Sequence, residues 1–242
     1  MRTVGIDLSA SPAKTAVACV DWDAGKAVLT DLVVGADDTA VRRLVEGATR
    51  IGIDSPFGWP DEFVDFVVAH HRNDLPKGRE LDDIARRRPL ALRRTDLRIV
   101  DAGVGRPLSV SADQIAHVAF RCAGLLSDLG VDDRVDGWAV EAYPAGALKR
   151  WGLTSRGYKR AANVSVLAGL VVAFEEAAPW LDLGDHAETM ARDDDAFDAV
   201  ITALIARAAE LGRTILPDAT DRPVAAREGW IHVPTAELAE LI

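Results

Sequence analysis

Three short apolar runs in this chain end in an acidic residue, and this pattern limits how the chain can fold. TVGID ends at Asp7, IGID at Asp54 and GWAVE at Glu141. Such runs are typical of buried strands, and a buried carboxylate needs a partner charge, hydrogen-bond donors or a metal ion. If the strands end at one edge of a sheet, their acids form a cluster. Such a cluster repels itself unless a divalent cation lies within it.

A late helical segment adds further acids. DDDAFDAVITAL carries Asp195 and Asp198 three residues apart, which places both on one face of a helix. Acids in a first helical turn are ordinary because they favour the positive end of the helix dipole, and this explains Asp193 and Asp194. It explains Asp198 less well, because this residue lies deeper in the apolar stretch. We expect Asp195 and Asp198 to belong to a site, with Asp195 slightly favoured.

The composition is typical of a globular protein of the cytoplasm. Of 242 residues, 49% are hydrophobic and 27% are charged, which suits one α/β domain with a sizeable core. No apolar stretch reaches the length of a membrane span, and the N-terminal segment reads as a strand rather than a signal peptide. Cys19 and Cys122 lie in apolar surroundings, so we expect both thiols to be reduced.

The charge balance argues against nonspecific binding of duplex nucleic acid. The net charge is −10, whereas proteins that wrap duplexes usually carry the opposite sign. One segment, RRRPLALRRTDLR, departs from this average. It contains Arg86, Arg87, Arg88, Arg93, Arg94 and Arg98. The segment is either a solvated face or a local anion site for a phosphate-bearing substrate.

The order of predicted elements favours an α/β fold. Three apolar segments joined by short links predict an antiparallel meander of strands: residues 2–8, 15–23 and 27–35. A helix capped by Asp37 or Asp38 follows. The next strand, at 51–60, is apolar on both faces, as a central parallel strand is.

Residues 57–110 interrupt this pattern. The segment begins with helix-like PDEFVDFVVAHH and continues with many charges, few apolar residues and several breakers. We interpret it as a loop-and-helix insertion that could cover the site, within a single domain over residues 1–242. Beyond it we predict a helix at 111–130 capped by Ser111, the strand GWAVEAYP, two long helices and a short final strand in EGWIHVP.

The surroundings of each strand-end acid leave alternatives open. Ser9 follows Asp7 among small and hydroxyl residues, which suit either a phosphate-binding turn or an ordinary one. Prolines and aromatics after Asp54 make a rigid turn that holds either a metal ligand or a capping acid. Glu141 is either a site residue or the salt-bridge partner of an arginine in the insertion. The histidines show no ligand spacing, and no phosphate-binding or nucleophile motif occurs.

The chain resembles the family catalogued as domain of unknown function 429, described as predicted nucleases of the ribonuclease H fold. The matching segments span nearly the whole chain: VGIDLSASPAKTAVA, IGIDSPFGWP, LRRTD, VEAYPAGAL, the Gly-Tyr-Lys at 157–159, DDAFDAVITALIARA and EGWIHVP. The resemblance implies an α/β, ribonuclease-H-like fold with a mixed five-stranded sheet. Its elements follow the order β-β-β-α-β-α-β-α, with helices on both faces and a helical or loop insertion.

The resemblance also implies a metal-dependent nuclease, a hydrolase of phosphodiester bonds. Two Mg²⁺ or Mn²⁺ ions about 4 Å apart would activate water and steady the leaving oxygen. The implied catalytic acids are Asp7, Asp54, Glu141, Asp195 and Asp198, of which all but Glu141 are candidate metal ligands. The implied substrate contacts are Ser9, Arg94 and Lys159.

The partner we expect is a short or single-stranded nucleic acid or another phosphate-bearing substrate, and no membrane. Two other functions stay open. The three-strand opening with its acid and hydroxyl residues also begins the actin-like sugar-kinase and chaperone ATPase fold, which binds Mg-ATP. Those proteins usually have a duplicated core and a longer chain. A noncatalytic ribonuclease-H-like module that binds a partner through the insertion is the other alternative.

Overall fold

The protein is an α/β structure built on one mixed sheet of seven strands. A computed structural model describes the whole chain, Met1–Ile242. The strands are β1 (Arg2–Asp7), β2 (Ala16–Asp23), β3 (Lys26–Val34), β4 (Arg50–Ile53), β5 (Ala139–Ala142), β6 (Leu181–Asp182) and β7 (Ile231–His232). They lie side by side in the order β6-β3-β2-β1-β4-β5-β7.

Ten helices accompany the sheet. They are α1 (Asp38–Leu44), α2 (Asp61–His71), α3 (Ile84–Ala91), α4 (Arg94–Asp101), α5 (Ala116–Asp128), α6 (Pro144–Arg150), α7 (Val164–Ala177), α8 (His186–Met190), α9 (Asp194–Glu210) and α10 (Arg222–Glu228). None of them is both long enough and apolar enough to cross a membrane.

The first three strands form the predicted antiparallel meander, and β1, β4, β5 and β7 run parallel to one another. Ile6 lies opposite Ile53, and Ile53 lies opposite Glu141. The Asp54 amide donates to the Ile6 carbonyl at 2.9 Å, which extends this register by one residue. The ends of β1, β4 and β5 therefore lie at one edge of the sheet, as the sequence predicted.

Helices cover both faces of the sheet because alternate strand residues point to opposite sides. On β2, Ala16 and Ala18 belong to a large core with α6, α7 and α9, whereas Val17 and Cys19 belong to a smaller core with α1 and α5. Nearly all of α9 is buried. Its apolar run is therefore the central layer of the larger core.

The sheet has seven strands where five were predicted. The two additional strands, β6 and β7, contain two residues each and pair at opposite edges. Strand β7 is the short final strand predicted in EGWIHVP, whereas β6 was not predicted, because two residues carry no periodicity. Helix α5 also begins later than predicted, because the Ser111 hydroxyl donates to the Leu90 carbonyl at 2.6 Å instead of capping a helix.

The chain between β4 and β5 forms α2 to α5, in and after the segment where the sequence predicted an insertion. Helix α2 confirms the predicted helical start of that segment, and α3 and α4 contain most of its arginines. The insertion boundary at 57–110 and the single domain over 1–242 stay predictions.

Helix α9 packs directly on the backbone of β1 and β4 because both strands carry glycine where the helix crosses. A Cβ atom at Gly5 would lie 2.1 Å from the Ala199 carbonyl oxygen and 2.2 Å from the Ala203 amide nitrogen. A Cβ atom at Gly52 would lie 2.6 Å from the Thr202 carbonyl oxygen. These contacts are backbone atoms that side-chain rotation cannot relieve.

Gly5→Ala should destabilise the protein by about 3 kcal/mol or more, because the helix and the strand must move apart to admit one methyl group. The matched control is Gly124→Ala in α5, where an added Cβ meets no atom within 4 Å. That change should be neutral or stabilise by up to about 1 kcal/mol, since alanine is the better helix former. Urea unfolding of both variants measures the difference, and equal stabilities would contradict the packing argument.

Candidate metal centre

Three of the predicted acids meet at the edge of the sheet. Each of Asp7, Asp54 and Asp198 offers a carboxylate oxygen, and these oxygens all lie within 4.8 Å of one another. Asp7 ends β1, Asp54 follows β4, and Asp198 lies in the second turn of α9. Residues that are far apart in the sequence thus form one compact group of oxygen atoms.

The two-residue period of the strands explains why Asp7 and Asp54 face α9. Gly5 and Gly52 contact that helix, and each acid lies two residues after its glycine and so on the same side of the sheet. Asp198 lies next to Ala199, the residue whose carbonyl approaches Gly5. The close helix–strand contact therefore sets the separation of the acids.

Asp198 is held by two neighbours from the loop before α7. The Tyr158 hydroxyl donates to Asp198 Oδ1 at 2.7 Å, and the Lys159 ammonium forms an ion pair with Asp198 Oδ2. Tyr158 packs edge-on against Phe197, which fixes the phenol. No protein hydrogen bond reaches the carboxylates of Asp7 and Asp54, so these two acids have oxygens free for a ligand.

The acids perturb one another strongly. Burial, followed by the charges of Asp198 and Asp54, raises the pKa of Asp7 well above its usual range. Burial raises the pKa of Asp54 to about 7, although the Lys159 charge acts in the opposite direction. Burial also raises the pKa of Asp198 despite the same lysine. Burial acts to lower the pKa of Lys159, but the carboxylates around it together raise that pKa.

The group suits a divalent cation. Oxygens bound to one ion at about 2.0 to 2.6 Å lie no more than about 4 to 5 Å apart, which matches the spacing of the three carboxylates. Hard cations such as Mg²⁺ and Mn²⁺ prefer carboxylate oxygens. A cation would also remove the repulsion that raises the pKa values of these acids.

Glu141 lies outside this group because it is paired with Ile53, the residue before Asp54, and not with Asp54 itself. It pairs with Ile53, so its side chain points to the face of the sheet opposite Asp54. There Arg93 donates Nη1 to Glu141 Oε2 at 2.8 Å and Nη2 to Oε1 at 2.7 Å, and the Phe57 amide donates to Oε2 at 2.9 Å. The structure thus shows the alternative interpretation of Glu141, a salt bridge to an arginine of the predicted insertion.

Arg93 carries a second buried acid as well. Its Nε and Nη2 atoms donate to Asp96 at 3.2 and 3.0 Å, and the backbone amide of Arg93 donates to the same carboxylate. Arg93, Asp96 and Glu141 are all at most 2% exposed. This buried triad fastens the start of α4 to β5 and leaves no oxygen of Glu141 unengaged.

The other predicted site residues lie around the group. Asp195 is outside it and pairs with Lys14 at 3.7 Å. Arg94 pairs with Asp221 at 3.4 Å. The Ser9 carbonyl accepts from Arg121 at 2.6 Å, and the Ser9 amide donates to the Thr15 hydroxyl. Of the proposed substrate contacts, only Lys159 touches the acids.

A cleft of about 280 Å³ opens beside the acids. Asp7, Asp54 and Lys159 lie in its wall. Much of the remaining wall is apolar, with Pro56, Pro107, Leu108, Ile115 and Val118. Leu108 is 56% exposed, so part of this wall is accessible from solvent.

The sequence did not identify Tyr158 as a partner of Asp198, or Arg93 and Asp96 as members of a buried triad with Glu141. Tyr158 lies in the Gly-Tyr-Lys segment, and Arg93 and Asp96 lie in LRRTD, two segments that carry the family resemblance. Of the nine arginines in the predicted insertion, only Arg93 is buried, and nothing in the local pattern distinguishes it from Arg94.

Comparison with known proteins gives one match. A family model described as "Protein of unknown function (DUF429)" matches residues 5–222. Neither a curated protein nor a solved structure matches the chain. The matched range includes all three acids of the group and Lys159.

Arg93→Met should destabilise the protein by about 3 to 5 kcal/mol, because it leaves the buried carboxylates of Glu141 and Asp96 without their counter-charge. Adding Glu141→Gln should recover part of this loss. The control is Arg42→Met, which breaks an exposed 2.8 Å pair with Asp128 and should cost less than about 1 kcal/mol. Chemical unfolding tests this, and similar losses for the two single variants would contradict the role of the triad.

Asp54 should make the metal-free protein less stable as pH rises. Its pKa is about 7 in the folded state and ordinarily 3.8, so the folded state binds the proton more tightly than the unfolded chain. The stabilisation by this proton is present below about pH 4 and is lost as pH rises to about 7.

Asp54→Asn should therefore gain stability relative to the native sequence by up to about 1.4 kcal/mol per pH unit between pH 4 and 7. Unfolding by denaturant in the presence of a chelator measures this trend. The exposed Asp132→Asn is the control and should show no comparable trend. A flat difference for Asp54→Asn would refute the raised pKa of Asp54 in the folded state.

Proposed function

The chain belongs to the DUF429 family of proteins of unknown function, and we propose that it is a metal-dependent nuclease with a ribonuclease-H-like core. The observation that carries the proposal is the convergence of Asp7, Asp54 and Asp198 within 4.8 Å. Carboxylates gathered at the ends of neighbouring strands, with oxygens free for a cation, suit hydrolysis of phosphodiester bonds assisted by a divalent ion.

The arrangement of the central strands supports the ribonuclease-H-like part of the proposal. An antiparallel meander supplies β3, β2 and β1, and the parallel strands β4 and β5 continue the sheet beyond β1. The acids follow the first and fourth strands, and a late helix brings the third. This arrangement supports the proposal of a ribonuclease-H-like core.

The three acids, Tyr158 and Lys159 have different tasks in the proposed reaction. Asp7, Asp54 and Asp198 would hold Mg²⁺ or Mn²⁺, and the bound metal would supply an activated water and neutralise the leaving oxygen. Tyr158 orients Asp198 through its 2.7 Å hydrogen bond. Lys159 offers a positive charge on the wall of the cleft, where the phosphate would lie.

The surroundings of the site favour a short or single-stranded substrate. The cleft, at about 280 Å³, is narrow and partly apolar, which suits one nucleotide better than a duplex. Arg94 and Arg98 are paired with Asp221, so they add little positive surface. Five residues after Asp54, Trp59 stacks on Phe120 at 5.7 Å, and Phe120 is 61% exposed. Exposed aromatic rings bind unpaired bases by stacking.

The proposed location is the cytoplasm. Cys19 and Cys122 are both buried and free, and buried free thiols are usual in a reducing compartment.

Asp7→Asn and Asp54→Asn should each lower metal-dependent cleavage of short single-stranded DNA or RNA by at least about 100-fold, because each removes a ligand charge from the site. Asp132→Asn should retain full activity, and Asp195→Asn should lose less than the first two variants. Product analysis with Mg²⁺ or Mn²⁺, and with a chelator, makes the measurement.

The same assay separates the alternatives. Mg²⁺-dependent binding of ATP without cleavage of nucleic acid would favour the kinase-like function. Absence of both metal binding and cleavage would favour a noncatalytic module. Cleavage that Asp54→Asn leaves unchanged would place the chemistry elsewhere in the protein.

A further inference from the structure

We propose that Lys159 occupies the cation position of the metal-free site and that a divalent ion must displace its ammonium group in order to bind. This inference rests on the proposed function, because it concerns the same three acids. It adds a regulatory property: the site has two mutually exclusive occupants, one built into the chain and one from solution.

Both carboxylate oxygens of Asp198 already have a partner in the metal-free protein. Its Oδ1 atom accepts the Tyr158 hydroxyl, and its Oδ2 atom contacts the Lys159 ammonium. Asp198 is fully buried, so the Lys159 ammonium occupies the side from which Oδ2 would meet an ion. A cation that binds all three acids therefore competes with Lys159 for Asp198.

Electrostatic repulsion also disfavours binding of a divalent ion beside the Lys159 ammonium. The charges of Asp198, Asp7 and Asp54 all act on Lys159, so the ammonium interacts with the whole group of acids. A divalent ion placed among the same oxygens would lie within a few ångströms of the ammonium, and the two cations would repel each other. Simultaneous occupancy by both cations is therefore strongly disfavoured.

The Lys159 side chain can move away from the acids without disturbing the backbone of its loop. Its side chain is 50% exposed, whereas Tyr158 beside it is only 1% exposed and packs against α9. The next residue, Arg160, adopts φ +81° and ψ 150°, a region almost restricted to glycine, and its amide donates to Asp194. The backbone is thus fixed on both sides, and the four-carbon lysine stem is free to rotate.

Displacement would create the substrate site. Lys159 lies on the cleft wall, so a released ammonium stays close to the space where an anionic group would meet the metal. Metal binding would then offer two positively charged groups to the substrate, the ion and the freed lysine. Binding of metal and binding of an anionic substrate should therefore reinforce each other.

Amine acylation followed by mass spectrometry tests the displacement on the full-length protein. The rate of Lys159 labelling should rise severalfold when Mn²⁺ is added, because the ammonium leaves the acids. Lys26, an exposed residue at the start of β3, is the control and should label at an unchanged rate. If Lys159 becomes no more reactive while calorimetry shows that Mn²⁺ binds, the inference fails and the metal site stands.

Calorimetry on Lys159→Met provides a second measurement. This variant keeps an unbranched side chain only one atom shorter but removes its charge, so Mn²⁺ should bind about tenfold more tightly than to the native sequence. Asp54→Asn, which lacks a proposed ligand, should bind Mn²⁺ at least tenfold more weakly. An unchanged affinity for Lys159→Met would overturn the inference alone. Absence of Mn²⁺ binding to both the native protein and Lys159→Met would overturn the inference and the proposed metal site together.

Discussion

The direct contact of α9 with the backbone of β1 and β4 is the constraint on which the site depends. Gly5 and Gly52 remove the two side chains that would hold the helix away from the sheet. Each glycine is followed two residues later by an acid, and the helix residue beside the contact is Asp198. Any side chain at these glycines would increase the distance between helix and sheet, and the three carboxylates would separate with it. The packing of the core and the geometry of the acids are therefore one property of the structure.

The same sheet carries two kinds of buried acid with opposite physical states. Glu141 has a bidentate arginine and a backbone amide, so its charge is compensated within the chain. Asp7 and Asp54 have no hydrogen-bond donor from the protein and face one another and Asp198. The first arrangement is typical of an acid that stabilises the fold, because nothing further can bind to it without breaking the ion pair. The second is unfavourable in the absence of a cation, and unfavourable charge in a cleft is typical of functional sites.

The sequence predicted all strands except β6, the antiparallel meander and the parallel β4, because apolar runs and short turns are local signals. It also predicted that Asp7, Asp54 and Asp198 converge. It could not assign Glu141, because the face of the sheet to which a strand-end residue points depends on register between strands. It slightly favoured Asp195 over Asp198 because both lie on one side of α9, but the structure brings Asp198 to the other two acids. The rotation of that helix about its axis is set by its contact with the two glycines, and this contact is visible only in the folded structure.

In the metal-free protein, protons and the Lys159 ammonium reduce the negative charge of the three acids. Protons compete for the acids because burial and mutual repulsion raise their pKa values, and Lys159 competes through its contact with Asp198. A divalent ion carries twice the charge of the ammonium and, in the proposed site, would contact all three carboxylates at once. It would therefore reduce their mutual repulsion more than a proton or the ammonium does. The repulsion among the buried carboxylates, which destabilises the metal-free protein, would therefore favour metal binding. Packing against two glycines maintains this repulsion, because the acids cannot move apart without separating α9 from the sheet.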